Sequence, residues 1–226
     1  CFALGNPLLP IYRGELQARG LGMAVDSYDI NGNSVRDAKG ELVCKLAFPS
    51  MPIYFWNDEK GDKYKSAYFN DFPGVWSHGD YIEINNHNGV LIYGRSDATL
   101  NPGGVRIGTA EIYRVIDQLK EIDDSLAIGQ PWGDDERIIL FIKLGENVIM
   151  NDILKIIINQ KILQECSPRH VPAKIIPIED IPYTINGKKV EIAIKNIIQD
   201  LPIKNIDSLL NPSSLEFYKN LKELKN

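Results

Sequence analysis

Cations placed beside glycine-freed turns recur along this chain. Gly94-Arg95-Ser96-Asp97, Gly104-Val105-Arg106-Ile107 with Glu111 beyond it, and Pro182-Tyr183-Thr184-Ile185-Asn186-Gly187-Lys188 all show the pattern. Charge offered at a relaxed turn suits contacts to phosphate or ribose oxygens. Arg95 follows a glycine at a strand end, where its planar fork can clamp two oxygens at once or pair with Asp97. Lys188 closes its loop and can neutralise an anionic leaving group, although Lys189 beside it leaves the choice open by one residue. In Ser77-His78-Gly79-Asp80 a carboxylate can accept from both hydroxyls of a ribose, or only from its own turn backbone. Pro102-Gly103-Gly104 lets the backbone line a narrow channel for an extended ligand arm, or makes a plain turn before a helix. Arg106 on the same loop can meet a phosphate or a helix-end carbonyl.

Other chemistries find no pattern. His78, His87 and His170 have no metal-ligand spacing, and the last two read as structural. No Ser/His/Asp triad signature, H-E-x-x-H or Walker loop occurs. The 226 residues carry a net charge of −5, so no global basic field favours a nucleic acid. With 44% hydrophobic and 24% charged residues the chain can bury a sizeable core. Cys1, Cys44 and Cys166 form no C-x-x-C pair, which favours a reduced, cytoplasmic setting. No apolar run reaches the roughly 20 residues of a membrane span, and the sequence shows no signal peptide, so no membrane partner is expected. Cys1 in place of a methionine reads as a piece of a longer polypeptide. The sequence carries no signal for an oligomeric state.

The elements that must position these groups change character near residue 97. Before it, Ala24–Asp29, Gly40–Leu46, Tyr81–Ile84 and Val90–Tyr93 have strand composition, with turns at Ile30–Asn33 and Asn85–Gly89. Lys60–Phe69 reads as a short helix or loop. The expectation is a small β-barrel-like or sandwich subdomain. After Asp97, Thr109 caps a helix whose Ile112, Val115, Ile116, Leu119 and Ile122 make one apolar face. Strands follow at Ser125–Gln130 and Arg137–Leu144, around a turn at Pro131–Asp135. A second helix runs over Asp152–Glu165, with Asn151 or Asp152 as cap. A third strand covers Lys174–Ile178, and a last helix starts near Val190 with Ala193, Ile194, Ile197 and Ile198 inward. Beyond Leu201 come a prolyl linker and an amphipathic helical tail carrying Leu215, Tyr218, Leu221 and Leu224. The fold class is α+β, with domains at 1–97 and 98–226 and no Gly/Ser tract between them.

Jointly these motifs resemble, in order and spacing, the AMP-forming acyl-CoA synthetases of the adenylate-forming superfamily, over essentially the whole chain. By that resemblance Asp80 binds the ATP ribose, Arg95 holds ribose and phosphate, and Asp97 is the hinge to a mobile C-terminal lid. Gly104 and Arg106 lie on the loop lining the pantetheine tunnel of CoA. Lys188, rather than Lys189, is the adenylation lysine. His78 departs from the usual Thr or Ser before Gly-Asp, and Ala98 from a frequent second aspartate. Asn101–Tyr113, Ser167–Pro172 and Tyr183–Glu191 are most similar to members that act on acetoacetate. The resemblance implies acetoacetate, ATP and CoA as small-molecule partners and an AMP-forming acid–thiol ligase. The phosphate loop and the magnesium motif of such enzymes are not in these residues, so the magnesium site is expected outside the chain and the chain alone is expected to be inactive. An acetyl- or propionyl-CoA synthetase, an adenylation domain serving a carrier protein, and a non-catalytic α+β binding module are the alternatives.

Overall fold

Short alternating segments separated by Asn/Gly turns pair with their sequence neighbours, and that is how residues before 98 fold. The computed structural model describes residues 1–203 and 206–225, and the chain divides into two compact units, Cys1–Asp97 and Ala98–Asn226. In the first, β1 (Ala3–Leu4) pairs with β2 (Ala18–Arg19), and β3 (Val25–Tyr28), β4 (Lys39–Cys44), β5 (Trp76–Ile84) and β6 (Val90–Arg95) form an antiparallel sheet in chain order. The strand-rich expectation holds, but among the described residues the sheet is open: β3 and β6 are its edges and do not meet. Asn85–Gly89 makes the expected hairpin loop, with the Asn85 side chain accepting from Gly89 N–H at 2.7 Å.

Inward residues Val25, Leu42, Ile82, Ile84 and Val90 form one core. Helix α1 (Asp62–Tyr68) closes a second, aromatic one, with Tyr68 stacked on Trp76 at 3.6 Å between ring centroids. Inside this unit Asp26 is almost fully buried, ion-paired to Arg36 at 2.6 Å and Lys45 at 2.8 Å. Those two cations and Ser34 more than offset the cost of burying the charge and hold its carboxyl at about 2.

The second unit carries helices on both faces of a three-stranded sheet. Strands β7 (Ile122–Trp132) and β8 (Asp135–Leu144) form a long antiparallel hairpin, and β9 (Lys174–Pro177) adds in parallel to β8. The hairpin closes on a two-residue loop whose first residue, Gly133, takes φ +60°, a geometry that follows the right-handed strand twist. Burial on both faces explains why β8 reads as an unbroken run, Ile138-Ile139-Leu140-Phe141-Ile142. Ile138, Leu140 and Ile142 pack with α2 (Thr109–Ile116) and α3 (Asp152–Glu165), while Ile139 and Phe141 pack with α4 (Glu191–Ile198) and the tail.

Helix α3 has the expected ends, with the Asn151 side chain accepting from Leu154 N–H at 2.8 Å. Helix α2 differs from expectation at both ends. Its cap is Gly108, with Thr109 already helical, and Ile122 leaves the helical stripe to begin β7. An apolar residue at the right spacing cannot tell a helix end from a strand start once a turn intervenes. The tail folds as 3₁₀ turns over Pro212–Tyr218 and Lys222–Lys225 that bury Leu215, Tyr218 and Leu224. Residues 204 and 205, part of the expected linker, lie outside the described residues.

Candidate functional site

In the first unit, Asp80 and Arg95 come together because β5 and β6 place them directly opposite one another. Strand β5 begins at Trp76, so His78-Gly79-Asp80 lies within a strand rather than ahead of one. Between the pairs Ile82↔Ile92 and Tyr81↔Gly94, β6 carries an extra residue, Tyr93. Such a bulge bends the strand and re-aims the side chain that follows. The Arg95 guanidinium donates to both Asp97 carboxylate oxygens at 3.3 Å and to the His78 carbonyl at 3.2 Å, and lies 3.7 Å from Asp80. Burial works against its charge, but Asp97, then Asp80 and Glu41, raise its pKa above the ordinary arginine value. Gly79 has φ +78°, and a Cβ there would stand 2.9 Å from Arg95 Nη2, so glycine makes room for the guanidinium. His78 reaches 3.6 Å from the second Asp80 oxygen. The result is a half-exposed arginine with three carboxylates around it, able to exchange Asp97 for an incoming anionic oxygen.

In the second unit, the loop ahead of α2 is held from below. Gly103 takes φ +60° and Gly104 φ +75°, both in the left-handed region. Asp135 accepts from Gly103 N–H at 2.9 Å, and Glu136 accepts from Asn101 N–H at 2.7 Å. Hydrogen bonds from Glu136 N–H and Gly103 N–H hold the Asp135 carboxyl below its usual value. Arg169 donates to the carbonyls of Pro102 and Gly103 at 3.3 and 3.1 Å. Glu111 accepts from Gly108 N–H at 2.9 Å, the half of a capping box that a glycine cap permits, and its other oxygen is 3.4 Å from His170 Nε2. Glu111 therefore props the loop, while Gly104 and Arg106 are exposed at its crest.

The third loop turns on Gly187, at φ +72°. Gly187 N–H donates to the Thr184 carbonyl at 2.8 Å, and Lys188 N–H to the Thr184 hydroxyl at 3.1 Å. Lys188 is exposed, and among the described residues its ammonium has no ion pair or side-chain hydrogen bond. Lys189 is opposite in kind. Its side chain is 17% exposed, with Nζ 2.7 Å from Asp124 and 4.1 Å above the Tyr113 ring.

Asp80, Arg95 and Asp97 thus form one cluster, Gly104 and Arg106 share a loop, and Lys188 stands on another loop of the same unit. The sequence alone gives no role to Asp135, Arg169 or Asp124, although Arg169 stands in the Ser167–Pro172 stretch, and it offers Lys189 only as the alternative to Lys188. Among the described residues no group of His, Cys, Asp or Glu is placed to hold a metal ion, and no helix is long and apolar enough to cross a membrane.

The chain matches relatives over its whole length. It is 53% identical over 226 residues to the acetoacetyl-coenzyme A synthetase of Rhizobium meliloti (strain 1021) and 50% identical to that of Danio rerio, covering 35% and 34% of their lengths. The solved structure of acetoacetyl-CoA synthetase from Streptomyces lividans superposes with TM-score 0.93 at 41% identity, over 100% of this chain and 34% of that one. The chain belongs to the adenylate-forming superfamily, alongside acetoacetyl-CoA synthetases. It spans about a third of the length of these relatives. ATP-bound MatB from Rhodopseudomonas palustris, at 21% identity and TM-score 0.68, shares the fold. No family model matches the chain.

Proposed function

We propose that this chain is the C-terminal third of an acetoacetate–CoA ligase. In the intact enzyme the acetoacetate carboxylate attacks the α-phosphate of ATP, giving acetoacetyl-AMP and pyrophosphate. The CoA thiol then attacks the acyl carbon and AMP leaves. Both steps build charge on phosphoryl or carbonyl oxygens, so fixed cations contribute most where that charge develops. Asp80 accepts from the ribose hydroxyls and Arg95 holds ribose and phosphate oxygens. Lys188 neutralises the developing pyrophosphate, while Gly104 and Arg106 line the path of the CoA arm. Residues 1–97 belong to the large adenylate-forming domain, and residues 98–226 are a lid that turns about Asp97. By its likeness to these enzymes, the magnesium site belongs with the phosphate loop, outside this chain. The three free cysteines accord with a cytoplasmic enzyme.

The observation that carries this reading is the unpartnered Lys188 ammonium at the tip of a glycine-turned loop, in a chain alike throughout to acetoacetyl-CoA synthetases. The test uses a full-length protein carrying this chain, given ATP, CoA and acetoacetate, acetate or propionate. The reading expects pyrophosphate release and thioester formation with acetoacetate at a kcat/KM at least about tenfold above the other acids. Preference for acetate or propionate would reassign the substrate.

A further inference from the structure

Two adjacent lysines stand in opposite environments, and the mechanism above uses only the first. We propose that Lys189 is a positioning residue whose ion pair with Asp124 aims Lys188, so that one lysine anchors the loop and its neighbour reaches from it. The inference rests on the adenylation role of Lys188 and deepens it.

Asp124 takes one residue from each end of the loop. One carboxylate oxygen accepts from the Tyr183 hydroxyl at 2.7 Å, and the other lies 2.7 Å from Lys189 Nζ. Tyr183 immediately precedes the 184–188 turn and Lys189 immediately follows it, and the two form an isolated antiparallel bridge. A single carboxylate on β7 therefore clasps both ends. Lys189 Nζ also donates to the Ser125 carbonyl and lies over Tyr113. The Tyr113 hydroxyl in turn donates to Glu191 at 3.0 Å and accepts from Ala127 N–H at 3.0 Å. Burial pushes up the Tyr113 and Tyr183 hydroxyls, and Glu191 and Asp124 respectively push them further, so both stay protonated as donors.

Direction follows from extended geometry. Successive side chains in bridged backbone point to opposite sides. With Lys189 drawn onto the edge of the sheet, Lys188 is turned outward. Stability alone is a weak reason for a mostly buried ammonium here, because an apolar side chain would also cover Tyr113 without the cost of desolvating a charge. The ion pair adds a fixed orientation. Misplacing a reacting group by about 1 Å can cost roughly a hundredfold in rate, so a partly loosened anchor is expected to cost about tenfold.

The experiment introduces Lys189→Met, Asp124→Asn and Lys189→Arg separately into the full-length enzyme, with Lys188→Ala alongside. Acid-dependent pyrophosphate release and thioester formation from supplied acetoacetyl-AMP are measured separately. The proposal expects Lys189→Met and Asp124→Asn each to lower the adenylation kcat about tenfold, with the ATP KM and the thioester step within about twofold of the parent. Lys189→Arg restores most of the loss. Amide exchange quickens at Thr184 and Lys188 and stays unchanged in β8, which shows that the variants are folded. If both variants adenylate normally while Lys188→Ala does not, the positioning role is wrong and the functional reading stands. Equal loss of both half-reactions makes Lys189 merely structural. If Lys188→Ala itself adenylates normally, both readings fall.

Discussion

Arg95 and Lys188 are both cations at glycine turns, yet the molecule treats them differently. Arg95 is held by Asp97, Asp80 and the His78 carbonyl, so its position is set before any ligand arrives. Lys188 is held by nothing at its charged end among the described residues; its backbone and its neighbour Lys189 are held instead. An arginine fork that must meet two oxygens gains from a rigid seat. Under the proposed mechanism, a single ammonium that arrives for one step and leaves for the next gains from a fixed root and a free tip.

Five substitutions in a full-length protein carrying this chain probe that contrast. The largest effect belongs to the free cation: Lys188→Ala should lower the overall rate about a hundredfold or more, measured as acetoacetyl-CoA formed, and a loss below about threefold would end the contrast. Arg95→Lys keeps the charge but removes the fork. It should raise the ATP KM about tenfold with a smaller change in kcat.

Away from the site, Asp26→Asn separates a pinned charge that only stabilises from one that also binds. The Asp26 carboxyl sits at about 2 against an ordinary 3.8. Its stabilisation is therefore full above about pH 4 and is lost as pH falls through about 2. The shift corresponds to about 2 kcal/mol. Urea melts from pH 7 to pH 2 should show that decline in the parent and a flatter profile, from a lower start, in Asp26→Asn.

The smallest effect is Gly187→Ala. A Cβ there meets no atom within 4 Å, so only the left-handed backbone opposes it, at about 1 kcal/mol in a denaturant melt. Gly79→Ala, by contrast, drives a methyl against Arg95 and should also weaken ATP binding.

Local signals explain what was legible in advance. The Asn85–Gly89 turn, the Asn151 cap of α3 and the inward Ile194 and Ile197 of α4 are each written within a few residues, and the structure has them in place, although Ala193 of the expected stripe joins no core among the described residues. The tail residues Leu215, Tyr218 and Leu224 were legible as apolar, but not as 3₁₀ turns packed beside Phe141. What stayed hidden depends on distant pairing. Nothing near Asp124 indicates that it will clasp Tyr183 and Lys189, and nothing near Arg169 points to the Gly103 carbonyl. Ile122 kept the helical spacing and joined a strand because the turn after α2 intervened. The open edge of the first sheet follows from the β3–β6 order, which strand composition alone does not reveal.

Lys188 is proposed to serve the adenylate-forming step and not the thioester-forming one. Single-turnover measurement of the two half-reactions in full-length Lys188→Ala tests it directly. Pyrophosphate release should collapse while supplied acetoacetyl-AMP is still converted to acetoacetyl-CoA at the parent rate. Equal loss in both half-reactions, or loss confined to the second, would contradict it.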